Sequence, residues 1–119
     1  MQHLLETIGS VIDEGVLVSR RGMTDVLFVS PRLEEILMRK HEVLTRDPET
    51  YLDVVHHEDR ERVVAQYRDQ EAKSWDMVYR LKRRDGTVVK VRDKAVSMDN
   101  SEHNTGDEIV SLVALVPES

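Results

Sequence analysis

The chain has 119 residues, a formal net charge of −6, a pI near 5.3 and no cysteine. That length suits one domain with one core and requires no disulfide or metal staple, since a chain of this size buries about 65% of the surface its unfolded form exposes. The missing cysteines exclude disulfides, thiolate nucleophiles and zinc–thiolate sites, and the acidic balance argues against a phosphate-backbone partner such as nucleic acid.

Leu4, Leu5, Ile8, Val11 and Ile12 recur at helical spacing, which predicts an amphipathic helix over 1–14 ahead of a domain over 15–117. The start, Met-Gln-His-Leu-Leu-Glu, lacks the basic and apolar regions of a secretory signal, and the longest apolar stretches are far short of a membrane span. A soluble, cytoplasmic module is the expectation. Gly15 interrupts the helix, Val16 to Val18 predicts a strand that turns at Gly22, and Val26 to Val29 predicts a second.

Ser30-Pro31 is a helix-start signal, because a serine side chain caps free amides and proline suits the first helical position. Asp47-Pro48-Glu49 repeats it, so two short helices are expected, with apolar faces at Leu33, Ile36, Leu37 and at Tyr51, Leu52, Val54, Val55. After His56-His57, the acidic pair Glu58-Asp59 lies where a helix macrodipole favours negative charge, opening a longer helix with Val63, Val64 and Tyr67 on one side.

Trp75, Met77, Tyr79 and Leu81 alternate strictly with Asp76, Val78, Arg80 and Lys82, the pattern of a half-buried strand. Asp85-Gly86 marks a hairpin. A two-residue loop would set Leu81 beside Lys90 and Tyr79 beside Arg92, mixing apolar and charged groups on both faces. A three-residue loop, Arg84 to Gly86 with Gly86 at positive φ, pairs Leu81 with Val89, Tyr79 with Val91 and Trp75 with Ala95. The second register is chosen. It leaves one apolar face with Asp93 as its misfit, and one face carrying Arg80, Lys82, Lys90, Arg92 and Lys94. Asp99 to Asp107 predicts a surface connection, and Ile109 to Val116, apolar on both sides except at Ser111, predicts a central strand.

Three stretches together resemble the PAS family. Leu27 to Leu37 is similar to its strand-to-helix passage, Tyr51-Leu52-Asp53-Val54-Val55-His56-His57-Glu58-Asp59-Arg60 to its W-L-D-L-V-H-P-E-D-R helix, and Tyr79 to Val88 to its R-R-x-D-G hairpin. The chain departs from the pattern in three places. His57 replaces the usual proline, Lys90 stands where an aromatic residue is frequent, and Val116-Pro117-Glu118-Ser119 lacks the family's Asp-Ile-Thr exit.

The resemblance implies an α+β fold, a five-stranded antiparallel sheet with short helices on one face and an N-terminal amphipathic helix. It also implies a non-enzymatic sensory module that binds a small ligand, or relays a partner's state through dimer rearrangement, to an effector such as a histidine kinase or diguanylate cyclase. The alternative in another class is a ligand-free dimerisation or docking adaptor. Phe28, Ile36, Tyr51, Leu52, Tyr67, Met77, Tyr79 and Leu81 are the candidate pocket, against the plainer reading that they are core. Leu4, Leu5 and Ile8 are the candidate dimer contacts. A flavin adduct is excluded because it needs a cysteine, and haem is disfavoured because no histidine is placed to enter the pocket. No metal site is expected. His56, His57, Glu58 and Asp59 have the residue types of a metal or acid–base site, but adjacent residues at a helix start point apart, which favours capping and first-turn charge.

Overall fold

The computed structural model describes residues 13–98 and 107–117. Residues 1–12 of the N-terminal helix expected over 1–14, with Leu4, Leu5 and Ile8, and nearly all of the Asp99–Asp107 connection lie outside the described residues; Asp13 and Glu14 form a bend ahead of the first strand. Five strands, β1 (Gly15–Arg20), β2 (Val26–Val29), β3 (Ser74–Lys82), β4 (Val88–Ser97) and β5 (Glu108–Leu115), form one antiparallel sheet in the order β2-β1-β5-β4-β3. Four helices, α1 (Pro31–Leu37), α2 (His41–Arg46), α3 (Glu49–Val54) and α4 (His57–Arg68), connect β2 to β3. Their apolar faces share a single core with Leu17, Trp75, Tyr79, Leu81, Val91, Ala95, Ile109 and Val113 of the sheet.

The hairpin adopts the three-residue register, with Leu81 opposite Val89, Tyr79 opposite Val91, Trp75 opposite Ala95 and Gly86 at φ 92°. β5 runs between β1 and β4, as its two-sided apolarity predicts. Gly15, at the start of β1, admits the close approach of α1: a Cβ there would lie 2.9 Å from Leu33 Cβ.

Ser30 caps α1, and its Oγ accepts from two buried amides, Leu33 N–H at 3.2 Å and Val16 N–H at 2.8 Å. One hydroxyl thus starts a helix and ties it to β1. α1 ends with Met38 in the left-handed region at φ 56°, where Met38 N–H donates to Glu35 O and Arg39 N–H to Glu34 O, the paired closure that satisfies the last carbonyls of a helix.

Three local expectations are corrected. α2 is an additional helix, only six residues long and with no side-chain bond from its N-cap residue Lys40, held by one buried residue, Leu44. Asp47 does not cap α3 through its side chain; its carbonyl accepts from Thr50 N–H at 3.0 Å instead. Phe28 does not face the helices. A bulge at Leu27, opposite the Val18–Ser19 step of β1, places Val26 and Val29 on the inner face, while Phe28, opposite Val18, packs with Val16 and Val18 on the outer face beside Val110 and Leu112.

β3 is an edge strand, and its free edge is closed by the α3–α4 junction. Val55 bridges Leu81, His56 N–H donates to Arg80 O at 2.9 Å, Arg80 N–H donates to Asp59 Oδ2 at 2.8 Å, and Arg62 donates to Val78 O at 3.0 Å. No helix among the described residues is long and apolar enough to cross a membrane.

Candidate functional site

The inner face of the sheet is apolar except at its centre, where the residue that breaks the β4 pattern becomes the hub of a buried polar cluster. Asp93 is fully buried. Its Oδ2 accepts from Tyr79 Oη at 2.6 Å and from Tyr67 Oη at 2.7 Å. Each phenol has one proton, and both are committed to Asp93. The contact between Tyr51 Oη and Tyr79 Oη at 2.5 Å is therefore donated by Tyr51, and the one between Ser111 Oγ and Tyr67 Oη at 3.1 Å by Ser111. The chain Tyr51 to Tyr79 to Asp93, and Ser111 to Tyr67 to Asp93, joins α3, α4, β3, β4 and β5 through one carboxylate.

Aromatic packing holds these hydroxyls in place. Tyr67 lies edge-on to Trp75 with ring centroids 4.8 Å apart, and Tyr51 is tilted against Tyr67 at 6.0 Å. Burial pushes the Asp93 carboxyl above its ordinary value, against the hydrogen bonds from Tyr79 and Tyr67. Burial and the surrounding acidic groups push the phenols of Tyr51, Tyr67 and Tyr79 well above theirs, so they remain protonated donors. Asp93 Oδ1, Trp75 Nε1 and Ser19 Oγ are buried without a well-formed hydrogen bond, while the Trp75 indole lies close enough to Asp93 to favour its charged form. The acceptor on Asp93 and the donor on Trp75 thus meet each other imperfectly in the interior, where poorly paired polar groups are costly.

Of the expected pocket residues, Ile36, Tyr51, Leu52, Tyr67, Tyr79 and Leu81 are buried in this one core, and Met77 is partly buried against it. Phe28 is separated from them by the sheet. Asp93, Ser111 and Trp75 were not in the expected set. The sequence signal for Asp93 was its break in the apolar face, and for Ser111 the lone hydroxyl in a two-sided apolar strand. The seven inward residues belong to the packed core and do not line the clefts around Pro31 and Arg39, Leu27 and Thr45, Leu112 and Pro117, or Lys82 and Gly86.

The His56 to Asp59 stretch is a joint between α4 and β3. His56 Nδ1 accepts from Glu58 N–H at 3.1 Å, and its ring stacks on that of His57 at 4.4 Å. Both oxygens of Asp59 accept from Arg80, whose guanidinium also reaches Glu58 at 3.1 Å. Those bonds hold the Asp59 carboxyl well below the usual range, so it is a poor proton acceptor and does not form an acid–base pair with His56. The expected cationic stripe is accordingly interrupted: Arg80 turns to Asp59 and Glu58, and Arg92 forms a two-point ion pair with Asp76 at 2.6 and 2.8 Å.

Glu34 Oε2 and Glu42 Oε1 converge on His41 Nδ1, at 3.0 and 3.1 Å. Glu34 Oε2 also accepts His41 N–H at 2.6 Å, so the arrangement is accounted for as the start of α2.

The sequence profile of the family described as PAS fold matches residues 26–112. Among solved structures, the PAS domain of an HTR-like protein from Haloarcula marismortui is 19% identical, with a TM-score of 0.72 over 97% of this chain and 91% of that one. A sensory box histidine kinase/response regulator from Burkholderia thailandensis is 20% identical, with a TM-score of 0.65 over 98% of this chain and 85% of that one. The N-terminal domain of a diguanylate cyclase with PAS/PAC sensor from Marinobacter aquaeolei is 18% identical, with a TM-score of 0.68 over 84% and 92%. No curated protein sequence matches the chain.

Proposed function

The chain belongs to the PAS-fold family, and from that premise we propose that it is a sensory module that reads a small polar ligand at the Asp93 cluster and relays its presence to an effector domain. Domains of this family are sensory modules, and the similar structures include parts of a histidine kinase and a diguanylate cyclase, which makes such effectors the natural partners here. The observation that carries the ligand reading is the carboxylate of Asp93, fully buried and ringed by the hydroxyls of Tyr67 and Tyr79 at the centre of an otherwise apolar core. Core packing alone gains nothing from a buried carboxylate, whereas such a group can orient a small polar ligand. Because Asp93 bonds through phenols to α3 and α4, occupancy there acts on the helices and on the sheet together.

The second reading, a ligand-free dimerisation or docking adaptor, is supported by the packing of Ile36, Tyr51, Leu52, Tyr67, Tyr79 and Leu81 into one core. Homodimerisation through Leu4, Leu5 and Ile8 belongs to either reading. A cytoplasmic location completes the proposal.

The test is native mass spectrometry, with near-ultraviolet and visible absorbance, of the protein purified from its own host, alongside Asp93→Asn. A bound mass that Asp93→Asn loses supports the ligand reading. A clean apo mass transfers the weight to the adaptor.

A further inference from the structure

A second site lies outside the core, where α1, the α3–α4 junction and the β3–β4 hairpin meet. A cleft of about 360 Å³ there is lined by Arg39, Arg60, Lys82, Arg83 and Arg84, with Asp53 as the single carboxylate in its wall. This concentration of positive charge stands in a chain whose net charge is −6. Three of the guanidinium groups, those of Arg39, Arg60 and Arg83, carry an Nε that is buried and has no hydrogen-bond partner. Arg60 is fixed in place by donating through Nη2 to the carbonyls of Asp53 and Val55, both at 3.0 Å, which leaves its Nε open. Asp85, next to Arg84 in the hairpin, spends its carboxylate on Thr87 N–H and Oγ at 3.0 and 2.7 Å, and the Arg83 charge nearby adds to the lowering of its carboxyl. The first amides of α4 take no part, since Glu58 N–H donates to His56 Nδ1 and Asp59 N–H to His56 O.

We infer that this cleft binds a small polyphosphate-bearing molecule, with Arg39, Arg60 and Arg83 as its hydrogen-bonding ligands and Lys82 and Arg84 as charge. Like charges gathered at one place repel, and unpaired guanidinium N–H groups are expensive to bury, so the arrangement is relieved by an anion. A guanidinium presents planar, directed donors that match phosphate oxygens, and several cations against one carboxylate suit a ligand with more than one negative charge. The volume equals that of about a dozen waters at ~30 Å³ each, enough for two linked phosphates and part of an attached group. The adjoining cleft shares Arg39 and Arg84 but carries Glu34 and Glu35, which directs the anion toward the Arg83 end. A bound anion would clamp the hairpin to the α3–α4 junction, and this inference does not depend on a ligand in the interior.

Isothermal titration at fixed ionic strength, with inorganic phosphate, pyrophosphate and ADP as separate probes, tests it, and amide NMR shifts locate the site. Saturable pyrophosphate binding is expected, at least about tenfold tighter than phosphate, with shifts centred on residues 82–86 and 39. Arg39→Ala and Arg83→Ala are each expected to weaken it about tenfold or more while retaining the wild-type far-ultraviolet spectrum, and Lys94→Gln, on the outer sheet face, to leave it unchanged. Equal affinity for ADP and pyrophosphate means that the phosphates alone are read; tighter ADP binding means that the nucleoside is read as well. Absence of saturation, shifts centred elsewhere, or equal weakening by Lys94→Gln overturns the inference.

Discussion

Tyr79 Oη lies 2.6 Å from Asp93 Oδ2, although the two residues are not directly opposite in the hairpin. Tyr79 pairs with Val91 and Asp93 with Met77, so they are diagonal neighbours on the inner face of the sheet. The same phenol accepts from Tyr51, so one side chain on β3 links the helices to β4.

Tyr79→Phe keeps the ring and removes that link. Asp93 loses a donor, and the Tyr51 hydroxyl is left buried without an acceptor. The expected loss is about 1–3 kcal/mol in urea unfolding, less than the ~3–5 kcal/mol of Tyr79→Ala, which also empties the space of a ring. A cost for Tyr79→Phe no greater than that of a surface substitution would mean that the phenol is not part of the network.

Asp93→Asn tests the hub through pH. Burial raises the Asp93 carboxyl above its ordinary value of 3.8 in the folded chain. Between that value and the raised one the unfolded chain has released a proton that the folded chain still holds. The stability Asp93 contributes is therefore complete below 3.8 and is lost as pH rises to the folded value. Relative to Asp93→Asn, the wild type is expected to lose stability over that window in unfolding measured at a series of pH values. Parallel profiles would count against a raised carboxyl.

Asp59→Asn gives the opposite slope. Its hydrogen bonds with Arg80 lower the folded value below 3.8, so its contribution is present above 3.8 and disappears as pH falls toward the folded value. The variant is expected to flatten the acid limb of the stability profile. Exchange of the Arg80 amide, which donates to Asp59 across the sheet edge, should accelerate in the same variant.

Ser30→Ala removes the acceptor of both Val16 N–H and Leu33 N–H, so it uncaps α1 and orphans a buried donor of β1. A loss of about 2 kcal/mol is expected, at the upper end for a helix cap because a second amide depends on the same oxygen. Thermal unfolding measures it, and Ser30→Thr, which retains the hydroxyl, should recover part of the loss.

Much of the fold was legible in the chain because the signals that carry it are local. The alternation from Trp75 to Leu81, the hairpin glycine, the Ser30-Pro31 start and the two-sided apolar β5 each reflect backbone geometry within a few residues, and together they determined strand count, register and helix placement. Local signals were too weak for α2, a six-residue helix whose own N-cap residue gives no side-chain bond, and they could not assign Phe28 to a face, because its side depends on a bulge at its neighbour Leu27.

The sequence by itself determined that Asp93 breaks an apolar face, and that Arg80 and Asp59 are charged residues at a strand and a helix start. Only the tertiary structure decided what those residues do. Tyr67 and Ser111, which help satisfy Asp93, are 26 and 18 positions away along the chain on other elements, and Asp59 meets Arg80 only where α4 abuts the edge of β3. The physical reason is that periodicity records which side of an element meets water, whereas a buried polar group is satisfied by whichever donors the packed elements bring within about 3 Å of it.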